Sequence, residues 1–202
     1  MTTINKHEIY GIFPIGICGM GKSTYSRKLK EMMEEQGEQV VLIERDQIFA
    51  EIRKTNSLRK TKKRLYEYYQ RISNSIKYES AQLNKRIWII FDTSNINEDS
   101  RRKMQELFEL SGRFDIYFSF PLSWKDNPIK AMKFLEERVL KREDHPTFPN
   151  NKEEKIQTFY KLWNSFICSN DYNKHFSNKS DISQINNFCN LDNYYIFQYL
   201  IY

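Results

Sequence analysis

Eight consecutive residues, Gly16-Ile17-Cys18-Gly19-Met20-Gly21-Lys22-Ser23, carry the spacing G-x-x-x-x-G-K-[ST]. Each fixed position has a physical reason. Glycines let the backbone wrap a phosphate closely, in conformations that a Cβ forbids. The loop N–H groups then converge as an anion nest. Lys22 can reach the β- and γ-phosphates of a nucleotide, and the Ser23 hydroxyl can ligate Mg²⁺. Gly16, Cys18, Gly19, Met20, Gly21, Lys22, Ser23 and Thr24 are therefore the candidate cradle for a triphosphate. A helix starting at Lys22 would add its partial positive charge beneath the phosphates.

Two carboxylates follow short apolar runs. Asp92 ends Ile87-Trp88-Ile89-Ile90-Phe91. Such an aspartate can hold Mg²⁺ beside a phosphate loop, or simply cap the next helix. Asp46 follows Gln39-Val40-Val41-Leu42-Ile43 and Glu44-Arg45. Phosphoryl transfer to a hydroxyl needs a carboxylate that accepts the hydroxyl proton. On residue chemistry alone Asp46 and Glu44 are equal candidates, and so is a surface turn. Arg138 and Arg142 are four apart and share a helix face. They could close over a triphosphate from a mobile flap, or form an ordinary solvated face beside Glu136, Glu137 and Glu143. His145 lies in the same flap, as a phosphate donor or as part of a turn.

The elements that must position these groups are legible from apolar periodicity. Ile9 to Ile15 is β-prone, with Pro14 expected to end the strand. Tyr25, Leu29, Met32 and Met33 mark one face of a helix, stopped at Gly37. The runs at 39–43 and 87–91 predict two further buried strands, and Phe114 to Phe120 a fourth. Helices are predicted over about 61–84, 98–110 (with Gly112 after its end), from Asn127-Pro128, and from Asn151 with Ile156, Phe159, Tyr160, Trp163 and Ile167 inward. Residues 169–190 are rich in Asn and Ser, and Asn193 to Tyr202 could form a fifth strand. Continuous apolar strands alternating with helices imply an α/β fold, with a parallel sheet of four to five strands sandwiched by helices. In such sheets ligands bind at the strands' carboxyl ends, where the glycine loop, Asp46 and Asp92 all fall. The expected organisation is one phosphate-loop domain over 1–167, which the resemblance given below makes a kinase domain, with a tail, 168–202, packing on it.

The 202-residue length suits that reading. No apolar stretch is long enough to span a bilayer, and Met1 to His7 lacks an apolar signal region. Cys18, Cys168 and Cys189 form no CxxC pair, which argues against a disulfide framework and a structural zinc. An intracellular site, cytoplasmic or nuclear, with no membrane partner, is expected. Net charge is +6. Residues 52–66 hold seven Lys or Arg and no acid, the charge density of a phosphate-backbone contact or of a solvated loop.

Together these segments resemble the kinase domain of phage polynucleotide 5′-kinase and its relatives in RNA-repair and tRNA-ligase enzymes. Gly19-Met20-Gly21-Lys22-Ser23-Thr24 matches the P-loop. Glu44-Arg45-Asp46-Gln47-Ile48 resembles the family's Asn-Arg-Asp-Asp-aromatic motif, which implies that Asp46 is the general base. Thr61-Lys62-Lys63-Arg64 resembles a Thr-Lys-Lys-Lys stretch. Asp92-Thr93-Ser94-Asn95-Ile96-Asn97 resembles Asp-Thr-Asn-Leu-Asn with one residue inserted, and Arg101-Arg102 the arginine pair that follows. Phe120-Pro121-Leu122-Ser123-Trp124 resembles its strand-Pro-Trp segment, and Arg138 and Arg142 two lid arginines. Where the family carries an arginine for substrate phosphate this chain has Phe49, with Arg53 one turn further on.

The resemblance implies a P-loop kinase fold and transfer of the ATP or GTP γ-phosphate, with Mg²⁺, to the 5′-hydroxyl of RNA or DNA. Lys22, Asp46 and Arg142 would be catalytic, and Arg138 would assist in nucleotide binding. Ser23 and Asp92 would hold the metal. Arg45, Arg53, Lys60, Lys62 and Lys63 would contact nucleic acid. His145-Pro146-Thr147 resembles the tRNA-ligase type, which favours RNA, and a ligase or phosphatase would act in trans. The alternatives are a P-loop kinase for a nucleoside, sugar or antibiotic, and a non-catalytic NTP-binding module of a repair complex.

Overall fold

The computed structural model describes residues 8–83, 85–120, 124–143 and 145–176. The expected fifth strand, His7, Cys189 and Pro121-Leu122-Ser123 lie outside the described residues. Four strands form one parallel sheet: β1 (Ile9–Ile15), β2 (Gln39–Glu44), β3 (Ile87–Asp92) and β4 (Gly112–Tyr117). Their order is β2-β3-β1-β4. The helices are α1 (Lys22–Glu35), α2 (Arg45–Arg53), α3 (Leu58–Leu83), α4 (Glu98–Phe108), α5 (Pro128–Leu140) and α6 (Lys152–Ile167), followed by a short 3₁₀ turn at Tyr172–Phe176. This is the P-loop kinase fold. Among the described residues no helix is long and apolar enough to cross a membrane.

The strand pattern explains the two-layered core. Side chains alternate across a strand, so Ile9, Phe13 and Ile15 of β1 join Ile87, Ile89 and Phe91 of β3 on one face, beneath α3 and α4. Ile12, Trp88 and Ile90 point the other way, into the layer under α1, α5 and α6. Burial of each large apolar side chain contributes roughly 1.5–3 kcal/mol. Gly11 has a packing reason: a Cβ there would lie 2.3 Å from Leu110 Cδ1. The buried character expected of the 39–43 run holds only in part. β2 is an edge strand, and only Val40 and Ile43 are buried.

Helix ends follow local chemistry. The Asn97, Asn127 and Asn151 side chains accept hydrogen bonds from first-turn N–H groups of α4, α5 and α6. Gly37, at φ +84°, stops α1. Several sequence expectations need correction. Pro14 lies inside β1, since β3 pairs only with Ile9–Ile12 and the Pro14 carbonyl takes a hydrogen bond from Asn95 Nδ2 at 3.0 Å. α4 ends at Phe108 rather than about 110, capped by Glu109 in left-handed backbone; Gly112 follows it as expected and opens β4, where a Cβ would meet the Tyr10 ring at 2.8 Å. Phe166, not Ile167, is buried on α6, while Ile167 stays exposed. α2 went unforeseen because no residue in it is fully buried, which leaves its apolar stripe weak.

Residues 169–176 close over the sheet. Arg101, 1 % exposed, donates to Asp171 at 2.6 Å and also to Glu98 and to the Asn95 carbonyl. His175 is fully buried. Its Nδ1 donates to the Phe118 carbonyl at 2.6 Å, and Nε2 has no hydrogen-bond partner among the described residues. Burial pulls the imidazole pKa down from 6.5 to about 4. The unfolded chain therefore binds a proton near pH 6.5 that the folded chain refuses until about pH 4. Stability is full above pH 6.5, falls as pH drops, and has lost roughly 3 kcal/mol from this group below the folded pKa. Urea unfolding at pH 7.0 and 4.5 should show that loss in wild type and a smaller one in His175→Gln, read as a difference between the two pH values.

Candidate active site

The glycine loop joins β1 to α1, and its shape is set from both sides. Gly19 and Gly21 both adopt φ +87°, left-handed backbone that favours glycine. The Gly16 N–H donates to the Ser94 carbonyl at 3.1 Å, which ties the loop to the segment after β3. Met20 folds back beneath the loop, where a Cβ on Gly16 would meet its sulfur at 2.7 Å. Gly16 and Met20 thus shape the loop, while Cys18, Gly19, Gly21, Lys22, Ser23 and Thr24 line a cleft of about 580 Å³. Burial lifts the Cys18 thiol to about 11, so it stays neutral at neutral pH.

Lys22 opens α1 as expected, and only 9 % of it is exposed. Its Nζ donates to the Ile17 carbonyl at 2.8 Å. Burial pulls its pKa below the usual lysine value, and the nearby Asp92 carboxylate opposes that pull. Asp92, at the end of β3, is also buried. Desolvation raises its pKa against the hydrogen bond from Ser23 and the Lys22 charge. Asn95 fixes this corner: its Nδ2 donates to Pro14 O at 3.0 Å and Phe91 O at 2.7 Å, stapling the ends of β1 and β3 together.

The opposite wall is the turn from β2 into α2. Glu44 is held by Arg27, at 2.9 Å from Nε, and by Gln47 at 3.2 Å. Asp46, in the first turn of α2, receives Arg45 Nη1 at 3.1 Å and otherwise opens on the cleft. The Arg45 guanidinium lies over the Phe49 ring at 5.6 Å, at the position where the resembled family carries a second arginine. Both carboxylates line the cleft, and Glu44 carries the heavier pairing, two Arg27 nitrogens and Gln47 against one Arg45 nitrogen on Asp46.

The roof comes from the end of α5 and the loop after it. Arg138, Lys141, Arg142 and His145 all line the cleft. The Arg142 carbonyl is held by Lys155 Nζ at 2.6 Å. His145 Nδ1 accepts from the Thr147 and Phe148 N–H groups at 3.3 and 3.2 Å. Its proton therefore sits on Nε2, which is 3.9 Å from Asp46 Oδ2. Burial, then Arg142, lowers the imidazole pKa. Lys141, Arg27, Thr158 and Leu162 also line the cleft and were not singled out from sequence. Arg27 lies one turn after Ser23 and Lys141 one turn after Arg138, so helical spacing from the motif residues was the available signal. Arg53, Lys60, Lys62 and Lys63 are not brought to this cleft. They belong to the far end of α2 and the first turns of α3.

Ser23 and Asp92 offer a hydroxyl and a carboxylate beside an anion nest, oxygen donors that suit Mg²⁺ completed by phosphate and water. Among the described residues no cluster of three His, Cys, Asp or Glu could hold a metal alone. The donor set therefore fits an ion shared with a phosphate rather than one caged by protein.

A parallel sheet with a phosphate loop at the end of its central strand, a buried lysine on the next helix and an arginine-bearing roof defines a nucleotide-binding protein of the P-loop kinase type. A family profile described as AAA domain matches residues 12–159, and the chain belongs to that family. Among solved structures, a hexameric APS kinase from Thiobacillus denitrificans matches at 20 % identity and a TM-score of 0.40, over 56 % of this chain and 22 % of its own. A second, titled APE1195, matches at 18 % identity and a TM-score of 0.39, over 81 % of this chain and 98 % of its own. Comparison with curated proteins gives no match.

Lys22→Met tests the loop. It removes a buried ammonium at similar volume and leaves the buried Asp92 carboxylate without its opposite charge, so some loss of stability is expected. Titration calorimetry, at a temperature where circular dichroism shows the variant folded, should show nucleoside triphosphate binding lost or weakened by at least tenfold. Undiminished binding would contradict the loop's assignment.

Proposed function

We propose that this protein transfers the γ-phosphoryl group of ATP or GTP to the 5′-hydroxyl end of a polynucleotide, with RNA favoured over DNA. The observation that carries this reading is the disposition of Asp46. Its carboxylate lines the cleft with Lys22 and Arg142 and is held by one Arg45 nitrogen, while Glu44, on the same cleft, is held by two Arg27 nitrogens and by Gln47. Lys22 leaves the Ile17 carbonyl for the β- and γ-phosphates. Arg142 and Arg138 neutralise charge on the transferring group from the roof. The substrate hydroxyl lies against Asp46, which accepts its proton as the oxygen bonds to the γ-phosphorus. The bond to the β–γ bridging oxygen breaks, and the nucleoside diphosphate leaves. Ser23 and Asp92 would hold Mg²⁺, which when bound supplies charge neutralisation to the phosphate oxygens. Arg45 in the wall, and Arg53, Lys60, Lys62 and Lys63 beyond it, would supply the field for a polyanion.

We further place the protein inside the cell, in cytoplasm or nucleus, with any ligase or phosphatase step on a separate chain. The free thiols of Cys18 and Cys168 support a reducing compartment. One observation favours a small-molecule acceptor instead: none of the basic residues 53–64 lines the cleft. A non-catalytic NTP-binding module would bind nucleotide without turnover.

One assay separates the three. γ-Labelled ATP or GTP is incubated with 5′-hydroxyl RNA and DNA oligonucleotides and, in parallel, with nucleosides and sugars. Label on the oligonucleotide supports the proposal, label only on small acceptors moves it to the second reading, and no transfer leaves the module. With the accepted substrate, Asp46→Asn should bind nucleotide near normally and lose about 10²–10⁴-fold in transfer. Glu44→Gln should lose much less. A reversal of those two results overturns Asp46 as the base.

A further inference from the structure

Beside the cleft, the outer face of α3 forms a second concavity with the end of α2. It has a volume of about 860 Å³ and is lined by Arg64, Glu67, Tyr68, Gln70, Arg71, Asn74 and Lys77 of α3, by Ile52 of α2, by Thr55 and Asn56 of the α2–α3 turn and by Leu107 of α4. Its size falls in the range of ligand sites, and its chemistry is specific. Arg64 and Arg71 are seven residues apart, so they lie on one helix face, about 10 Å apart along the axis. Both are exposed, and among the described residues neither meets a carboxylate. The other charges are accounted for. Glu67 has Lys63 Nζ at 3.8 Å, and Lys77 is held by Glu109 at 2.5 Å. Along the helix between the two arginines come Glu67, which faces Lys63, and the half-buried Tyr68, and the side-chain amides of Gln70 and Asn74 also line the trough.

We propose that this trough is the track on which a single-stranded polynucleotide lies beyond its 5′ end, an inference that rests on the function proposed above. Two unpaired guanidiniums suit two phosphodiesters. An aromatic ring between them gives a base a stacking platform, and the amides can hydrogen-bond base edges without fixing one sequence. The trough is connected to the chemistry by α2. Asp46 sits in the first turn of that helix, and Ile52, which lines the trough, is six residues along it. At 1.5 Å per residue that is about 9 Å. The Tyr69 hydroxyl, on the neighbouring face of α3, is close enough to Asp46 and Arg45 to feel both charges. At about 3.4 Å per stacked nucleotide, roughly three nucleotides bridge the gap and another three span Arg64 to Arg71. The acceptor's first nucleotides would therefore lie in the cleft, and only acceptors longer than about five nucleotides would gain from the trough.

The test uses the full chain and labelled 5′-hydroxyl RNA and DNA of 2, 4, 8 and 12 nucleotides. Wild type should bind the 8- and 12-mers at least tenfold more tightly than the 2- and 4-mers by fluorescence anisotropy. Arg64→Ala with Arg71→Ala should remove most of that gain. It should also flatten the slope of log affinity against log salt by about 1.4, from two lost phosphate contacts on a single strand. Transfer to the dinucleotide, nucleotide affinity and melting temperature should stay as in wild type, and the Arg→Lys pair should retain part of the gain. Lys133→Ser with Lys161→Ser, exposed on helices of the opposite layer, makes the same charge change and should do neither. An unchanged salt slope in the arginine variant, an equal effect on the dinucleotide, or the same effect from the lysine control would overturn the trough. Wild type that phosphorylates dinucleotide and 12-mer with one Michaelis constant overturns the trough and leaves the proposed function standing. Wild type that binds long strands through Arg64 and Arg71 but transfers nothing keeps the trough and removes the function. Wild type that neither binds nor phosphorylates any oligonucleotide removes both.

Discussion

A lysine ammonium buried at the end of the central strand is the constraint on which the rest of the site depends. Burying a lone ammonium costs several kcal/mol even after relaxation, unless hydrogen bonds and an opposite charge offset it. Lys22 has both, in the Ile17 carbonyl and the Asp92 carboxylate. Each partner must in turn be held. Ile17 is fixed by its own burial, and Asp92 by the end of β3 in the middle of the sheet. The Asn95 staple keeps β1 and β3 at one height, and Arg101, itself buried against Asp171, holds the Asn95 carbonyl. A chain of polar contacts therefore runs from residue 171 to the phosphate loop. Loosening it at any point would move the ammonium, the carboxylate or the loop relative to the others.

The roof is tied to the same constraint by packing rather than charge. A Cβ on Gly19 would lie 3.3 Å from both the Leu135 carbonyl and Val139 Cγ2, so α5 rests directly on the phosphate loop. Arg138 and Arg142 extend from the end of that helix over the cleft. A glycine at position 19 thus serves twice, through its left-handed backbone and through the room it leaves for α5. A larger residue would have to push the arginine-bearing helix outward, separating the roof from the phosphates it faces.

Much of this was legible because it is local. The glycine spacing, the helix starting at Lys22, the asparagine caps and the apolar runs of β1 and β3 are properties of a few neighbouring residues, and the structure has them where the sequence places them. What could not be read depends on partners far along the chain. Glu44 and Asp46 differ because Arg27, 17 residues away, reaches one of them. Arg101 resembled one of a family's arginine pair, yet its surroundings are set by Asp171, 70 residues on. His145 facing Asp46 needs the roof folded over the wall, and no periodicity encodes that. α2 escaped for the opposite reason: it is local, but too lightly buried to leave a clear apolar face.

The distribution of positive charge bears on the size of the acceptor. The roof arginines, Lys22 and Arg27 surround the cleft itself, a volume suited to a nucleotide and a small acceptor. The run from Arg53 to Arg64 lies outside it, on the last turn of α2 and the first turns of α3. Opposite charge that served only to neutralise the triphosphate would gain nothing from standing outside the cleft, because screening at physiological salt cuts surface interactions within about 8 Å. Those cations must instead interact with whatever extends past the cleft, or with solvent alone. α3 runs antiparallel to β3, with Ser80 near its end bonded to Lys85 just before that strand, so its basic beginning sits at the carboxyl edge of the sheet. That is the edge where the cleft opens. The charge therefore stands outside the cleft but at the edge where it opens, the arrangement that the proposed polynucleotide acceptor would use and that a small acceptor would leave to solvent.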